Sequence, residues 1–404
     1  MAAIISRIFF PFDSEYSSLL LATATFGVGF VMRPIGGVVL GAYADRRGRK
    51  PTLQWVIGIM TVAIAMIAFA PTYETVGVAA SVIVIVARLL QGFATGGEFA
   101  SATAFLIESA PPDRRGFYGS WQMAGQGLAV LSGAVVGAGM TRWLDSETVE
   151  SWGWRIPFLF GLLLFPVGLY IRRHVSETRE FLSSLEARDR HRPAVASTGL
   201  AKRIVTCTGI VAAGTISFFV VILYLPTFAT RQLGMSLGDA FVAQSIGLAL
   251  MVVAIPAFGA LSDRIGRRPV LVGSLVVYLA ALHPLYAWII AAPTFANLVV
   301  MQLVLCGILG AYFGPFSTVL GEQFPAASRS IGLALSYNLG VLLFGGFAQF
   351  FVTWLSHVSG SAMAPAYYVL FGTAIGLVAA IFVTDAARRP RPAELALSQC
   401  REAA

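Results

Sequence analysis

Long apolar stretches follow one another along almost the whole chain and are separated by short polar gaps. A helix needs about 18 predominantly apolar residues to cross a bilayer, and most of these stretches reach that length. The pattern therefore predicts an all-α integral membrane protein. Eleven spans are predicted, at residues 17–42, 52–70, 76–107, 118–140, 153–171, 204–229, 240–260, 270–291, 295–320, 330–355 and 365–384.

Composition agrees with this pattern and narrows the function. Apolar residues make up 57% of the chain and charged residues only 12%, whereas soluble domains carry about 25% charged residues. The net charge of +8 lies mostly in the gaps between spans, so it indicates membrane topology rather than nucleic-acid binding. The sequence shows no nucleophilic triad, metal-binding cluster or phosphate loop, and we therefore predict neither an enzyme nor a cofactor.

The basic gaps predict the orientation of the chain in the membrane. Most of its 28 lysines and arginines lie in alternate gaps and in the tail, so the positive-inside rule places those gaps and the C-terminus in the cytoplasm. The predicted units are an N-terminal bundle of five spans, a cytoplasmic linker, a C-terminal bundle of six spans and a cytoplasmic tail, at residues 1–171, 172–203, 204–385 and 386–404.

Two loop sequences each occur twice, at nearly the same offset. "GAYADRRGRKPTL" at residues 41–53 is repeated as "GALSDRIGRRPVL" at residues 259–271, and "ESAPPDRRG" from Glu108 is repeated as "EQFPAASRS" from Glu322. A duplicated half of six spans accounts for both repeats. The first half then lacks its first span.

The repeated loop resembles the G-x-x-x-D-R-x-G-R-[KR] signature of the major facilitator superfamily, where it follows the second and the eighth helix. The stretches "FGVGFVMRPIGG", "RLLQGFATGGEFASATAFLIESAP", "RRGFYGSWQ" and "SWGWRIPFLFGLLLFPVGLYIRRHVSET" resemble the metabolite:proton symporters of that superfamily. The resemblance covers residues 1 to about 390 and implies two bundles of six helices, alternating access and proton-coupled import. Family members carry citrate, 2-oxoglutarate, dicarboxylates, shikimate, or compatible solutes such as proline and betaine.

The two signature loops are predicted to act as gates. Asp45 follows the carboxyl end of a helix, where the macrodipole disfavours an anion, so it needs a cationic partner or the amino end of the next helix. A polar latch that forms in one arrangement of the bundles and breaks in another suits a rocking carrier. The alternative is that these charges only set topology. The predicted gating residues are Gly41, Asp45, Arg46, Gly48, Arg49, Lys50, Gly259, Asp263, Arg264, Gly266, Arg267 and Arg268.

Three ionisable residues fall well inside predicted spans, where they are costly and therefore indicate function. They are Arg33, Arg88 and Glu98. On a helical wheel Arg88, Gln91, Thr95 and Glu98 form one polar stripe that should face the bundle interior. Arg88 and Glu98 are about 15 Å apart along the axis, too far for a direct pair.

Glu98 and Arg88 are predicted to couple transport to protons. A carboxyl that alternates between a dry site and a cation can load and release a proton, and "GGE" at this position resembles the family; a permanently paired structural carboxylate is the alternative. Arg88 could hold a substrate carboxylate, or couple protons as the matching arginine of the superfamily is proposed to do, or brace its helix. For Arg33, structural bracing is favoured slightly over ligand contact. The predicted substrate-binding residues are Arg88, Arg33, Gln91, Gln122, Gln126, Tyr224 and Asn338.

Taken together, these predictions indicate a membrane transport protein. The chain is expected to be a monomeric, multi-pass protein of a bacterial inner membrane that imports a small organic anion together with protons. The anion would be a carboxylate such as citrate or 2-oxoglutarate. Two alternatives remain: uptake of a zwitterionic solute such as proline or betaine, and a membrane sensor on the same fold that transports nothing.

The missing first helix leads to a separate expectation about the gene. Without that helix, the first span would expose a face rich in glycine, containing Gly27, Gly29, Gly36 and Gly37 beside Arg33, which suits protein better than lipid. We therefore expect translation to start upstream of Met1 and to add about 20 to 40 residues, enough for one more span.

Overall fold

The computed structural model is helical in all the regular structure that it describes. The described residues are 5, 8–11, 15–47, 49–163, 165–166, 168, 170, 199–324 and 329–383. No strand occurs among them. This confirms the predicted all-α class, and it follows from the apolar runs, because a backbone in lipid must satisfy its hydrogen bonds within each segment.

The first half of the chain forms six helices that the following sections use, joined by shorter turns. The third and fourth helices are separated only by a turn at Gly96 and Gly97 and together make one apolar segment. The helices are α1 (Glu15–Arg47), α2 (Arg49–Ala68), α3 (Val78–Thr95), α4 (Glu98–Glu108), α5 (Arg115–Trp143) and α6 (Ile156–Gly161).

The second half begins at α7, a few residues before the predicted boundary at residue 204, and contains two segments of π-helix, Phe218–Leu223 and Val341–Gly345. Polar caps start two of its helices: Ser236 and Thr294 accept the backbone N–H groups of Asp239 and Asn297. The helices are α7 (Leu200–Ser217), α8 (Leu225–Arg231), α9 (Leu237–Ile265), α10 (Arg267–Ala291), α11 (Phe295–Glu322), α12 (Arg329–Gly340), α13 (Ala348–Ser359) and α14 (Ala364–Ile381).

Nine helical segments among the described residues are long and apolar enough to cross a membrane. Of the predicted spans, 52–70 contains only the shorter apolar helix Gln54–Ala68, because α2 opens with charged and proline residues. The span predicted at 153–171 runs into residues outside the described set. The predicted count of eleven is therefore not confirmed.

Two seams between helices join the halves. Helix α5 packs against α9, where an added Cβ on Gly259 would lie 2.7 Å from the Gly116 carbonyl oxygen, so the backbones touch. Helix α1 packs against α12 and α13; the rings of Tyr16 and His357 stack at 3.8 Å at one end of this seam. We call the other end, where residues 108–116 and 259–268 lie, the basic end.

The glycine-rich face of α1 packs against protein, so the expectation that it would be exposed is wrong. Added Cβ atoms on Gly29 and Gly36 would meet the backbone of α3. Those on Gly27 and Gly37 would meet residues of the second half, Phe347 and Asn338. The glycines allow these backbones to approach closely, which is the use that small residues have between membrane helices.

Candidate substrate cavity

A cavity of about 370 Å³ lies between the two halves. Helices α1, α3 and α5 of the first half supply most of its polar side chains, namely Arg33, Arg88, Gln91, Thr95 and Gln126. The second half faces them with Thr215, Tyr337 and a mainly apolar wall. The cavity is therefore polar on one side and apolar on the other.

The two arginines give the cavity its charge. The described residues that line it include no aspartate or glutamate, and neither Arg33 nor Arg88 forms an ion pair with a described carboxylate. Arg88 donates to the side-chain oxygen of Gln91 at 3.0 Å, one turn along α3. Two half-buried guanidinium groups, with no described carboxylate beside them in the cavity lining, leave donors that can bind an anion.

Aromatic rings surround these guanidinium groups. The Arg33 guanidinium carbon lies 4.2 Å from the ring centre of Phe30, and that of Arg88 lies 5.5 Å from the ring centre of Phe26. Both distances are within the range of a cation–π contact, which stabilises a charge that has left water. The opposite wall carries four more rings, those of Phe218, Phe219, Phe313 and Phe316.

Tyr337 of α12 forms the floor of the cavity toward the basic end. Its ring stacks on that of Phe99 with centres 3.6 Å apart and planes 6° apart. Its hydroxyl lies beside the Arg33 guanidinium and the Gln126 amide. The adjacent Asn338 is buried and donates to the Gly96 carbonyl oxygen at 2.8 Å. Two consecutive residues of the second half are thus held by α1, α4, α5 and the turn before α4.

Glu98 lies outside the cavity, which corrects the predicted single polar stripe. Arg88, Gln91 and Thr95 do line the cavity, but the helix is interrupted at Gly96 and Gly97. Glu98 starts α4 beyond that turn with an exposed side chain. The cation that acts on it is Arg33, on the neighbouring α1, rather than Arg88.

The structure brings together four of the seven predicted substrate-binding residues: Arg33, Arg88, Gln91 and Gln126 line the cavity. Gln122, Tyr224 and Asn338 do not. Gln122 is one turn closer to the basic end than Gln126, which already contacts the floor. Tyr224 is buried in the second half, where its hydroxyl accepts from Thr353 at 3.3 Å. Asn338 binds the Gly96 backbone instead of facing the cavity.

The sequence reasoning did not assign the phenylalanines of the cavity. In an apolar span a phenylalanine that faces a cavity has the same hydropathy as one that faces lipid, so the pattern cannot separate them. Tyr337 is a polar aromatic residue in an apolar run, but its contacts with Arg33 and Phe99 join residues more than two hundred positions apart. No local signal reports such contacts.

At the basic end, Asp263 of the second signature loop joins the two halves. The backbone N–H groups of Gly116 and Phe117, at the start of α5, donate to its two carboxylate oxygens at 2.8 and 2.9 Å. Arg267 pairs with the same carboxylate at 2.7 Å and with Glu322 at 3.5 Å. Because unpaired N–H groups and the helix dipole favour an anion at a helix start, this contact stabilises the closed seam.

The glycines of this loop have separate tasks. Gly259 allows α9 to touch α5, as described above, and Gly266 has a φ of 100°, a left-handed conformation that joins α9 to α10 and favours glycine. Arg264 and Arg268 are exposed. The loop thus provides a close contact between α9 and α5, a tight connection between α9 and α10, and a carboxylate that caps α5.

For the first signature loop the structure describes only backbone. Gly48 and the side chains of Asp45, Arg46, Arg49 and Lys50 lie outside the described set, and Gly41 is described only as part of the α1 backbone, so the gating role of these residues stays a prediction. The second pair of repeated loops meets across the halves, because Arg329 and Glu108 form an ion pair at 2.8 Å. Repeats found in sequence are therefore brought face to face.

Among the described residues, no three His, Cys, Asp or Glu side chains are grouped so that they could hold a metal ion. Cys207 and Cys306 are buried as free thiols. The chemistry of the cavity is therefore that of its arginines, amides, hydroxyls and aromatic rings.

Comparison with known proteins identifies relatives along the whole chain. Residues 3–196 match the family "Sugar (and other) transporter", and residues 210–399 match "Major Facilitator Superfamily". The chain is 38% identical to the citrate-proton symporter of Klebsiella pneumoniae, over 95% of this chain and 86% of that protein. It is 32% identical to the proline/betaine transporter of Escherichia coli K12, over 100% of this chain and 83% of that protein.

A solved structure shares the fold. The D-xylose-proton symporter superposes with a TM-score of 0.74 at 18% identity, over 94% of this chain and 91% of the other. The apolar helices and the bacterial relatives identify a multi-pass protein of the inner membrane. The chain therefore belongs to the major facilitator superfamily and, within it, to the metabolite:proton symporters.

Proposed function

We propose that this protein imports a small carboxylate, such as citrate or 2-oxoglutarate, together with protons. The observation that carries the proposal is the charge of the cavity: two guanidinium groups face it, no described aspartate or glutamate lines it, and Glu98, outside it, acts on Arg33 alone of the two. An anion is the ligand that this arrangement favours, since it supplies the missing charge. The citrate-proton symporters among the relatives support the same substrate class.

The polar side of the cavity supplies the contacts that a carboxylate needs. Arg88 is already oriented by Gln91, so its planar group can present two donors to one carboxylate. Thr95 and Gln126 add a hydroxyl and an amide nearby. Arg33 lies in the same cavity and provides a second site for a dicarboxylate or tricarboxylate. A brace is the alternative role for either arginine.

Glu98 is proposed as the proton carrier. It is exposed at the start of α4, and its electrostatic partner is Arg33, which also lines the cavity. A substrate anion bound at Arg33 would compete with ionised Glu98 for that cation, so substrate binding favours a protonated Glu98. Arg88 is the second candidate for proton coupling. This linkage gives symport, because anion and proton are then bound together.

The loops at the basic end are proposed to be gates of an alternating-access cycle. Asp263 and Arg329 join the halves at this end, so their contacts with the first half must break when the cavity opens there. In the proposed orientation the basic end and the C-terminus face the cytoplasm, as the positive-inside rule requires. A single chain encloses the cavity, and we propose a monomeric transporter.

Uptake of a zwitterion is the second candidate, because one observation favours it. Aromatic rings can hold a quaternary ammonium group, and the apolar wall carries four phenylalanines. The proline/betaine transporters among the relatives agree with this alternative. A zwitterion carries no net charge and so leaves the charge of the two arginines unchanged, which keeps the anion as the preferred substrate.

Ligand-dependent stability of the purified protein tests the substrate class. A ligand that binds only the folded state raises the melting temperature, and the rise grows with the ratio of ligand concentration to Kd. We expect citrate or 2-oxoglutarate to raise the melting temperature and betaine and proline to leave it unchanged. The double variant R33Q/R88Q should lose the response. Stabilisation by betaine alone, retained in the double variant, would assign the second candidate instead.

A further inference from the structure

Tyr337 is in contact with three different helices of the opposite half. Its ring lies flat on Phe99 of α4, and its hydroxyl lies between Arg33 of α1 and Gln126 of α5. Because Tyr337 belongs to the second half and the other three residues to the first, the halves cannot separate at this depth without moving it. It lies between the cavity and the basic end.

The backbone next to Tyr337 is irregular in a way that suits movement. The turn Val341–Gly345, four residues further on, is π-helical and ends in two glycines, Gly345 and Gly346, where an added Cβ would meet Phe219 and Phe30 of the cavity wall. Single π turns are rare in proteins, but those that occur are often found at functional sites. They are also common points of helix bending. This irregular turn between α12 and α13 therefore allows α12, which carries Tyr337, to change its angle relative to α13.

The contact between Arg33 and Tyr337 is one that a substrate can displace. The phenol is a neutral acceptor, whereas hydrogen bonds between guanidinium and carboxylate are charge-assisted and about twice as strong. A carboxylate that enters the cavity at Arg33 therefore competes with the Tyr337 hydroxyl for the guanidinium beside it. The ring then keeps only its stack on Phe99 and its contact with Gln126.

We infer that Tyr337 is the lock that closes the cavity at the basic end, and that Arg33 holds this lock until a substrate anion replaces the tyrosine. The inference rests on the proposed function for the chemistry of that anion. It adds a positioning residue to the cycle: Tyr337 links occupation of the cavity to opening of the exit. An empty carrier then stays shut at the basic end, and a loaded one opens.

A buried reporter position makes the opening measurable. Thr103 is 0% exposed and lies one turn from Phe99 on the same face of α4, further toward the basic end. The probe protein is the full chain with Cys207, Cys306 and Cys400 replaced by alanine and Thr103→Cys added. A hydrophilic maleimide reaches this thiol only while the basic end is open. The same chain without Thr103→Cys gives the background.

The test compares Y337F with an equally buried tyrosine. Y337F keeps the stack and removes the hydroxyl that lies beside the Arg33 guanidinium, so labelling without ligand should rise about tenfold, the size expected for losing one polar contact with a charged group. Citrate should accelerate labelling of the parent protein, which retains Tyr337, and should cause little further acceleration in Y337F. R33Q, which frees Tyr337 from the other side, should behave like Y337F. The control Y286F removes a tyrosine hydroxyl from the core of the second half and should match the unmodified lock.

The outcomes separate the lock from the proposed substrate. If Y337F and R33Q label as slowly as the parent and still respond to citrate, Tyr337 is not the lock although the carboxylate is a ligand. If both variants label fast but no carboxylate affects the parent, the lock stands and the substrate class is wrong. A melting temperature of Y337F close to that of Y286F ensures that fast labelling does not come from unfolding.

Discussion

Arg33 and Arg88 line the same cavity but have different partners. Arg88 donates to Gln91 on its own helix, so nothing in its contacts ties it to the second half. Arg33 lies beside Tyr337 and acts on Glu98, so it stands between the cavity, the floor and the proposed proton site. Substitutions of Arg33 and of Arg88 are therefore expected to impair transport in different ways.

The first prediction concerns Arg88. R88K keeps the charge but loses the planar fork, so a carboxylate is bound by fewer donors in all states. We expect the apparent KM for citrate to rise about tenfold while kcat changes little, as for lost uniform binding. The control is R155K, at a guanidinium bonded to the Ala70 carbonyl away from the cavity. An unchanged KM in R88K would identify Arg88 as a brace.

The second prediction concerns Glu98. E98Q removes the titrating group, so accumulation of substrate against its gradient should cease, whereas exchange of internal for external substrate should continue because it requires no net proton release. Both are measured with labelled citrate in the same vesicles. E74Q, at an exposed glutamate of the first half, is the matched control. Continued accumulation by E98Q would exclude Glu98 as the carrier.

At the residue scale, the sequence predicted the charged part of the cavity and not its walls. Arg33, Arg88, Gln91 and Gln126 stand out because ionisable and amide groups are costly inside apolar runs. The phenylalanines give no such contrast. Glu98 was placed on the wrong face because a helical wheel assumes an unbroken helix, and the turn at Gly96 and Gly97 interrupts it.

At the scale of helices, one loop residue connects two halves through a helix start. Asp263 accepts two N–H groups of α5 and pairs with Arg267. An asparagine there has no charge for the helix dipole and only one acceptor oxygen, and it leaves the buried Arg267 with less compensation. The closed seam at the basic end should depend on this carboxylate.

The third prediction follows for D263N. We expect citrate uptake to fall about tenfold at unchanged membrane level, and the Thr103→Cys reporter to label faster without ligand, since a lost helix cap costs about 1 kcal/mol or more. D239N, at an exposed aspartate at the other end of the same helix α9, serves as the control. Normal uptake by D263N would mean that the charges of this loop set membrane topology and do not act as a gate.

Element positions were largely predictable, and their partners were not. The apolar runs predicted nine spans that the described helices support, because length and hydropathy are local properties. The repeated loop predicted an aspartate in need of a helix start or a cation. The helix that Asp263 caps is α5 of the other half rather than the next helix, and only the packed structure shows that pairing.

For the whole molecule, the central feature is a charged cavity closed by contacts at both ends. Tyr16 and His357 stack at one end, while Asp263, Arg329 and Tyr337 join the halves toward the other. A carrier must exchange these two sets of contacts, and the account assigns the exchange to substrate and proton binding near Arg33. Its central claim is that a proton gradient drives a carboxylate through this cavity.

Uptake into proteoliposomes tests that claim most directly. Purified full-length protein is reconstituted, an inwardly directed proton gradient is imposed, and accumulation of labelled citrate, 2-oxoglutarate and betaine is followed with and without a protonophore. We expect a carboxylate to accumulate above its external concentration, the protonophore to abolish this accumulation, and betaine not to accumulate. Accumulation of betaine alone, or carboxylate uptake that ignores the protonophore, would contradict it.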